Sequence, residues 1–227
     1  GSLVATLITE KVKIGTAPDD ISKLDPSLSV SYQPDEDRML YLRAMYKNTF
    51  RVPSFNDLYY FRLGSRTLRP EKAQEYGIGI TYGHTLFPAM NYLSATLDAY
   101  FNDVTDKIVA FPTTYAWRMV NFGKVHATGI DLTLATSISL PAGIDLVLSG
   151  AYTWQKAIDL TDRKAANYKD QLPYTPEHTG NVSAIAETPW VDVGYSVVAV
   201  GKRYFSSENI IENEIPGYSD HTLTISR

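Results

Sequence analysis

The chain has 227 residues, 44% of them hydrophobic, 20% charged and 12% aromatic, with a formal net charge of -4 and no cysteine. That balance, without any basic run, lacks the footprint of a nucleic-acid binder, and the missing thiols exclude a disulfide framework or a thiolate metal site. No stretch of about 18 apolar residues could form a membrane-spanning helix, and no segment reads as a signal peptide. Any membrane role must therefore use strands. Tyrosine leads the aromatics, with 16 against 8 Phe and 3 Trp, and it suits positions half apolar and half wet.

Alternation with period two dominates the chain. In order, it predicts ten strands: Leu3–Val12, Ser27–Gln33, Met39–Asn48, Gln74–Tyr82, Tyr92–Phe101, Trp117–Ser137, Ile144–Trp154, Thr179–Ala186, Val191–Arg203 and Ser219–Ser226. Helical patterning is confined to two short stretches, Ser54–Tyr59 and Leu160–Tyr168. In Asn91–Phe101 one face reads Leu93, Ala95, Leu97, Ala99, Phe101, and the other Tyr92, Ser94, Thr96, Asp98, Tyr100. Leu40, Leu42, Leu93, Leu97, Ile130, Leu132, Leu134, Val193 and Val197 are expected to share the outward face of one curved sheet, because a one-residue slip turns a whole strand over.

The predicted runs are about 10 residues long, enough for a tilted strand to cross a bilayer and longer than the usual soluble strand. The connections alternate in length. Short turns are expected at Pro34–Asp37, His84–Asn91, Leu140–Gly143 and Glu187–Pro189. Long stretches are expected at Lys13–Asp25, Thr49–Lys72, Asp103–Lys124, Gln155–His178 and Lys202–Gly217. Short turns at one end and long loops at the other are how outer-membrane barrels are built. The last residues, Thr224-Ile225-Ser226-Arg227, lie in mid-strand, so an excised piece is expected. Bilayer insertion requires a closed barrel, since open strand edges cannot face lipid.

The loop after the third strand reads Phe50-Arg51-Val52-Pro53-Ser54-Phe55-Asn56-Asp57-Leu58-Tyr59-Tyr60, and Leu68-Arg69-Pro70-Glu71-Lys72-Ala73-Gln74-Glu75-Tyr76-Gly77-Ile78-Gly79 follows. Further on come Tyr100-Phe101-Asn102-Asp103-Val104-Thr105-Asp106-Lys107-Ile108, Asn121-Phe122-Gly123-Lys124-Val125-His126-Ala127-Thr128-Gly129-Ile130-Asp131 and Ile215-Pro216-Gly217-Tyr218. These five pieces, in this order, resemble the C-terminal half of the TonB-dependent outer-membrane receptors, in the branch importing siderophores, haem or cobalamin. The resemblance runs from about Leu24 to Arg227. It implies an all-β fold, an antiparallel up-and-down meander forming part of a transmembrane barrel of the roughly 22-strand type. On this reading residues 1–227 are a partial C-terminal barrel region, without the plug domain and the last strands. The parent imports a scarce nutrient such as a ferric siderophore, haem or cobalamin, sits among outer-membrane lipid, and couples to the TonB protein through a missing N-terminal part. The resemblance implies no cofactor and no enzymatic activity.

Arg51 has two readings: a bidentate partner for an anionic ligand, or an internal ion pair with Asp57, Glu71 or Glu75 that pins the loop. The second is favoured, with Arg51, Pro53, Asp57, Pro70 and Glu71 as a structural motif. The loop residues Tyr59, Tyr60, Arg62, Tyr115, Trp117 and Arg118 are the ligand-binding candidates; Phe61 and Phe111 share the same stretches. The competing reading is an interfacial aromatic girdle. His84, His126, His178 and His221 lack metal-ligand spacing, and the Asp103/Asp106 and Asp159/Asp162 pairs read as solvated loop carboxylates rather than calcium ligands. No catalytic motif occurs. The rivals are a soluble β-sandwich carbohydrate-binding module, a passive porin and a glycan-importing receptor of the same superfamily. Strand length and loop sorting disfavour the first, and the Phe50–Tyr60 and Leu68–Gly79 motifs disfavour the second.

Overall fold

β-branched and aromatic residues alternating with small polar ones fit a pleated ribbon with two unlike faces, and the chain uses that ribbon almost throughout. The computed structural model describes residues 1–8, 21–35, 39–112 and 116–227. Its strands are β1 Ser2–Ile8, β2 Ile21–Asp35, β3 Leu40–Arg51, β4 Glu71–Gly83, β5 Met90–Pro112, β6 Trp117–Leu140, β7 Ile144–Asp159, β8 His178–Glu187, β9 Asp192–Val200, β10 Arg203–Tyr204, β11 Glu214–Ile215 and β12 Tyr218–Ser226. Ten of them form one antiparallel sheet in the order β1-β2-β3-β4-β5-β6-β7-β8-β9-β12, while β10 and β11 pair as a small ribbon inside the last connection. The sheet is an open stretch of barrel wall, with β1 and β12 at its two edges. Its ten strands correspond to the ten expected, most with longer ends, except that the expected Val191–Arg203 strand stops at Val200 and Arg203 joins the small ribbon instead.

Register decides the faces, since residues directly opposite one another point the same way. Leu42, Ile80, Leu97, Leu132 and Tyr152 stand in one lateral row, and Val182, Val197 and His221 continue the same face. Alternation along each strand then places all nine expected residues on that face, with Tyr92 opposite Leu93. The face is apolar yet open: Ile78 is 66% exposed and Leu223 65%. Water does not tolerate so broad an apolar surface on a soluble monomer, and lipid does.

The other face is polar. Arg43, Gly79 and Asp98 stand side by side on β3, β4 and β5, and Arg43 Nη2 meets Asp98 Oδ1 at 2.8 Å across the glycine. A Cβ on Gly79 would collide with that carboxylate. Tyr100 lies opposite Gly129 and folds its ring over it, filling the space a side chain would take. Thr153 donates to Asp131 at 2.6 Å, and the Thr81 and Thr96 hydroxyls lie 3.2 Å apart. This is the lumen side of a barrel wall.

Few residues are fully buried. Val104, Val125 and Ala157 form the largest buried cluster, on the polar face, capped by Leu172 from the connection after β7. One sheet with no second layer among the described residues is incompatible with a β-sandwich, whose core lies between two sheets.

Several expectations need correction: Ile21–Asp25 and Gln155–Asp159, expected within long connections, are the ends of β2 and β7. Asp103–Lys124 is not a long loop: β5 runs to Pro112 and pairs with β6 from Trp117 onward. The Asp-x-x-Asp-Lys break at Asp103–Lys107 hides a strand that Val104, Ile108 and Val109 continue. At 23 and 24 residues these strands reach roughly 80 Å at about 3.3 Å per residue, well beyond a bilayer. Leu160–Tyr168 is not a helix but a set of turns. Asp159 accepts the Thr161 N–H at 2.8 Å and the Asn167 side chain at 2.8 Å, and Asp162 accepts the Lys164 N–H at 2.9 Å. These carboxylates capture groups that a helix would need. The other short helix forms as α1, Phe55–Tyr59. Of the remaining stretches, Thr9–Val12 and the centre of the Pro34–Asp37 turn lie outside the described residues.

Candidate ligand-capture site at the long-loop end

The excursion between β3 and β4 begins at a latch. Ser54 caps α1: its hydroxyl accepts the Asp57 N–H at 3.2 Å, and Asp57 Oδ2 accepts the Ser54 N–H at 2.8 Å. This reciprocal pair satisfies two donors that a helix start leaves open. Arg51 Nη1 reaches the same Asp57 oxygen at 3.3 Å, and its Nη2 lies 3.5 Å from Glu71 Oε2. Glu71 Oε2 accepts the Ile108 N–H at 2.9 Å, while Arg51 Nη2 donates to the Ile108 carbonyl at 3.4 Å. One guanidinium thus ties the end of β3, the cap of α1, the start of β4 and the outer part of β5. Glu75, the third carboxylate considered, instead accepts from the Thr49 hydroxyl at 2.9 Å. Pro53 and Pro70 bracket the excursion, each just outside a regular element.

A second clamp holds the far end. Asn121 accepts the Arg69 N–H at 2.8 Å and donates to the Arg69 carbonyl at 3.0 Å and the Asp106 carbonyl at 2.6 Å. Arg69 Nε donates to Asp106 at 2.9 Å. That hydrogen bond, and then the Asp106 charge, raises the Arg69 pKa above its ordinary value. The Met119 N–H donates to the Leu63 carbonyl at 2.8 Å, docking the loop on β6.

Between these clamps lies an open groove of about 340 Å³ lined by Tyr60, Phe61, Arg62, Leu63, Ala110, Ala116 and Trp117. Trp117 packs on Tyr174 with ring centroids 5.5 Å apart, bringing in the connection after β7. Arg66 stacks over Tyr59 and Arg62 over Phe61, each at 5.2 Å. The three long connections are joined. The Tyr174 N–H donates to the Tyr204 carbonyl at 2.7 Å, and Asn209 exchanges hydrogen bonds with Gln171 at 2.6 and 3.1 Å. An array of flat apolar rings and guanidinium groups can stack on a planar ligand and pair with its carboxylate or phenolate oxygens.

Tyr60, Arg62 and Trp117 therefore meet in one groove, with Tyr59 beside it. Arg118 follows Trp117 in a strand and so lies on the opposite face. Tyr115 lies outside the described residues. Tyr174, Asn121 and Asn209 were missed by the sequence reading, because nothing in their spacing distinguishes them from other loop residues. No group of three or more His, Asp or Glu able to hold a metal occurs among the described residues. Asp103 faces Lys124 at 3.2 Å, Asp106 faces Arg69, and Asp159 is taken up by Thr161 and Asn167.

A family model described as TonB dependent receptor-like, beta-barrel matches residues 8–226. The chain belongs to that family. This TonB-dependent receptor barrel is therefore an outer-membrane protein of a family of receptors and transporters, not of enzymes. It is 26% identical over 168 residues to the vitamin B12 transporter BtuB of Photobacterium profundum, covering 70% of this chain and 24% of that protein. Among solved structures, the siderophore receptor PiuA from Acinetobacter baumannii is 16% identical with a TM-score of 0.68, over 95% of this chain and 31% of that one. The ferric enterobactin receptor PfeA from Pseudomonas aeruginosa, as its G324V mutant, is 19% identical with a TM-score of 0.63, over 91% and 33%. The copper transporter OprC is 17% identical with a TM-score of 0.66, over 93% and 33%. The chain thus spans about a quarter of the curated relative and about a third of the solved structures.

Proposed function

We propose that residues 1–227 are the C-terminal part of the barrel of an active importer that captures a scarce nutrient such as a ferric siderophore, haem or cobalamin. The observation that carries this reading is the groove of Tyr60, Phe61, Arg62 and Trp117 at the long-loop end of a barrel wall. Its relatives are named as receptors or transporters for vitamin B12, siderophores and copper, which supports a small-molecule nutrient. Long connections bring rings and guanidinium groups together where a ligand first arrives from outside. The strands below supply the rigid scaffold that holds them. In the whole receptor the energy for import comes from the TonB protein, engaged by a part of the receptor beyond these residues.

The test is uptake by the full-length receptor in a strain lacking its own copy, using labelled cobalamin and a panel of labelled ferric siderophores. Uptake of one of them should depend on the energy-coupling protein. Trp117→Ala and Tyr60→Ala should weaken its binding at least tenfold while the receptor stays at the cell surface in wild-type amount. Diffusive entry independent of energy coupling would instead identify a porin. Unaltered binding in both variants would remove the groove from the ligand's path.

A further inference from the structure

Two four-residue turns from different connections converge on Trp117. In the excursion between β3 and β4, the Leu63 N–H donates to the Tyr60 carbonyl at 3.2 Å. In the connection after β7, the Thr175 N–H donates to the Leu172 carbonyl at 3.3 Å. The third residue of each turn is left-handed, Arg62 at φ 65° and Tyr174 at φ 58°. With Pro173 in second place, the turn from Leu172 to Thr175 follows the type II pattern, whose third place favours glycine or asparagine. A bulky side chain held there is strained, and such strain gathers where a site is preorganised. Arg62 lines the loop groove, and the Tyr174 ring packs on Trp117 at the groove's wall, with centroids 5.5 Å apart and planes at 37°.

We propose that Tyr174 is a positioning residue for ligand recognition: it holds the Trp117 indole as a fixed stacking platform, beside the Arg62 guanidinium, for a nutrient presenting a flat arene with an anionic oxygen. The inference rests on the groove being the capture site. Tyr174 is built to hold still. Leu172, which opens its turn, is buried with Val104, Val125 and Ala157. The Tyr174 N–H donates to the Tyr204 carbonyl at 2.7 Å, and the Gln171 side chain donates to the Thr175 carbonyl at 3.1 Å. Tyr174 does not itself line the groove, so its ring covers a part of the indole that the groove leaves free. Trp117, by contrast, opens β6 and is 44% exposed. Alone, its indole would turn among rotamers, and ordering it on binding would cost affinity. An aromatic neighbour at this spacing supplies the restraint. No carboxylate lines the groove, and among the described residues Arg62 rests on the Phe61 ring without an ion-pair partner. Rings beside an uncompensated guanidinium suit an arene carrying phenolate or carboxylate oxygens.

The test uses the full-length receptor in detergent. Its probes are a ferric tris-catecholate and, as a chelate without rings, a ferric tris-hydroxamate. The wild type should prefer the catecholate. Tyr174→Asn, which the turn accepts, should weaken catecholate binding about tenfold, the share of one aromatic pair, and leave the hydroxamate unaffected. Tyr174→Phe keeps the ring and should stay within about twofold of the wild type. Hydrogen exchange over residues 171–175 should be no faster in Tyr174→Asn, so that binding falls while the turn stays closed. Faster exchange there would make the residue merely structural and overturn the proposal. So would an equal loss in Tyr174→Phe, unaltered catecholate binding in Tyr174→Asn, or a wild type without preference for the catecholate. Trp117→Ala separates the two readings. If it weakens binding while Tyr174→Asn does not, the groove stands and this inference alone falls; if neither variant matters, the capture site falls with it.

Discussion

Removing Glu71 should harm the receptor more than removing Arg51, although each has three partners. Arg51 is 48% exposed, and its pairs with Asp57 and Glu71 at 3.3 and 3.5 Å are long. Exposed ion pairs contribute about 0.2–1 kcal/mol each, so Arg51→Ala should cost about 1–2 kcal/mol including its bond to the Ile108 carbonyl. Glu71 is 16% exposed and accepts the N–H of Ile108, a residue only 6% exposed. Its loss leaves a buried backbone donor unsatisfied, about 1–3 kcal/mol, and also releases Arg51 and Lys107. Glu71→Ala should therefore cost about 2–4 kcal/mol in all. Glu71→Gln keeps an acceptor for Ile108 and should fall near Arg51→Ala. The measurement is urea unfolding of the full receptor in detergent, with limited proteolysis of residues 52–70 as a local readout. Arg51→Ala costing more than Glu71→Ala would refute the view that the buried N–H dominates the latch. Unchanged folding with lost ligand binding would make Arg51 a ligand contact.

Gly129→Val should displace the Tyr100 ring and cost about 1–3 kcal/mol, the usual range for overpacking, and Tyr100→Ala added to it should recover part of that loss; heat-modifiability on gels reads both. Asn209→Ala should loosen the connection after β7 as well as its own, seen as faster hydrogen exchange over Asp170–Tyr174, and exchange confined to residues near Asn209 would show that the loops are independent. The isolated 227-residue chain should associate in detergent-free buffer, because β1 and β12 present unpaired edges and one face is broadly apolar. A monodisperse monomer by light scattering would contradict the lipid-facing assignment.

The fold was legible wherever alternation was clean. Leu97, Leu132, Leu134 and Val193 are each flanked by small or polar residues, so parity alone assigned their faces. It failed at Asp103–Lys124, where charges fall on both faces of a strand that has left the membrane. Outside lipid, nothing requires one face to be apolar, so the sequence loses its marker while the backbone keeps pairing. It failed again at Leu160–Tyr168, where polar spacing resembled a helix but Asp159 and Asp162 bonded locally instead. Of the loop candidates, Tyr60 and Trp117 come from different connections, and only the side-by-side order of β4, β5 and β6 with the docking of Leu63 on Met119 brings them together. Their meeting with Tyr174 depends on the fold of a third connection and left no local trace. Arg51 was more accessible to reasoning, because its two carboxylate partners flank the same excursion.

The same alternation explains why composition could not reveal a membrane protein. A helix in lipid must be apolar on all sides, but a barrel strand needs only every second residue to be so. The intervening positions, such as Ser29, Ser31, Arg43, Asp98 and Asp131, remain polar and pull the average down. Little of this sheet's stability can come from a core of its own, since Val104, Val125, Ala157 and Leu172 form the one sizeable buried cluster among the described residues. Its outward side chains gain their burial from lipid. On the inner face, glycines opposite long side chains do part of the same work: Arg43 reaches Asp98 across Gly79, and Tyr100 lies flat on Gly129. These lateral contacts tie together strands that hydrogen bonds already join, and they set the register at which the outer rows line up. Loss of the Tyr100–Gly129 or Arg43–Asp98 contact should therefore be felt on the lipid side as well as in the lumen.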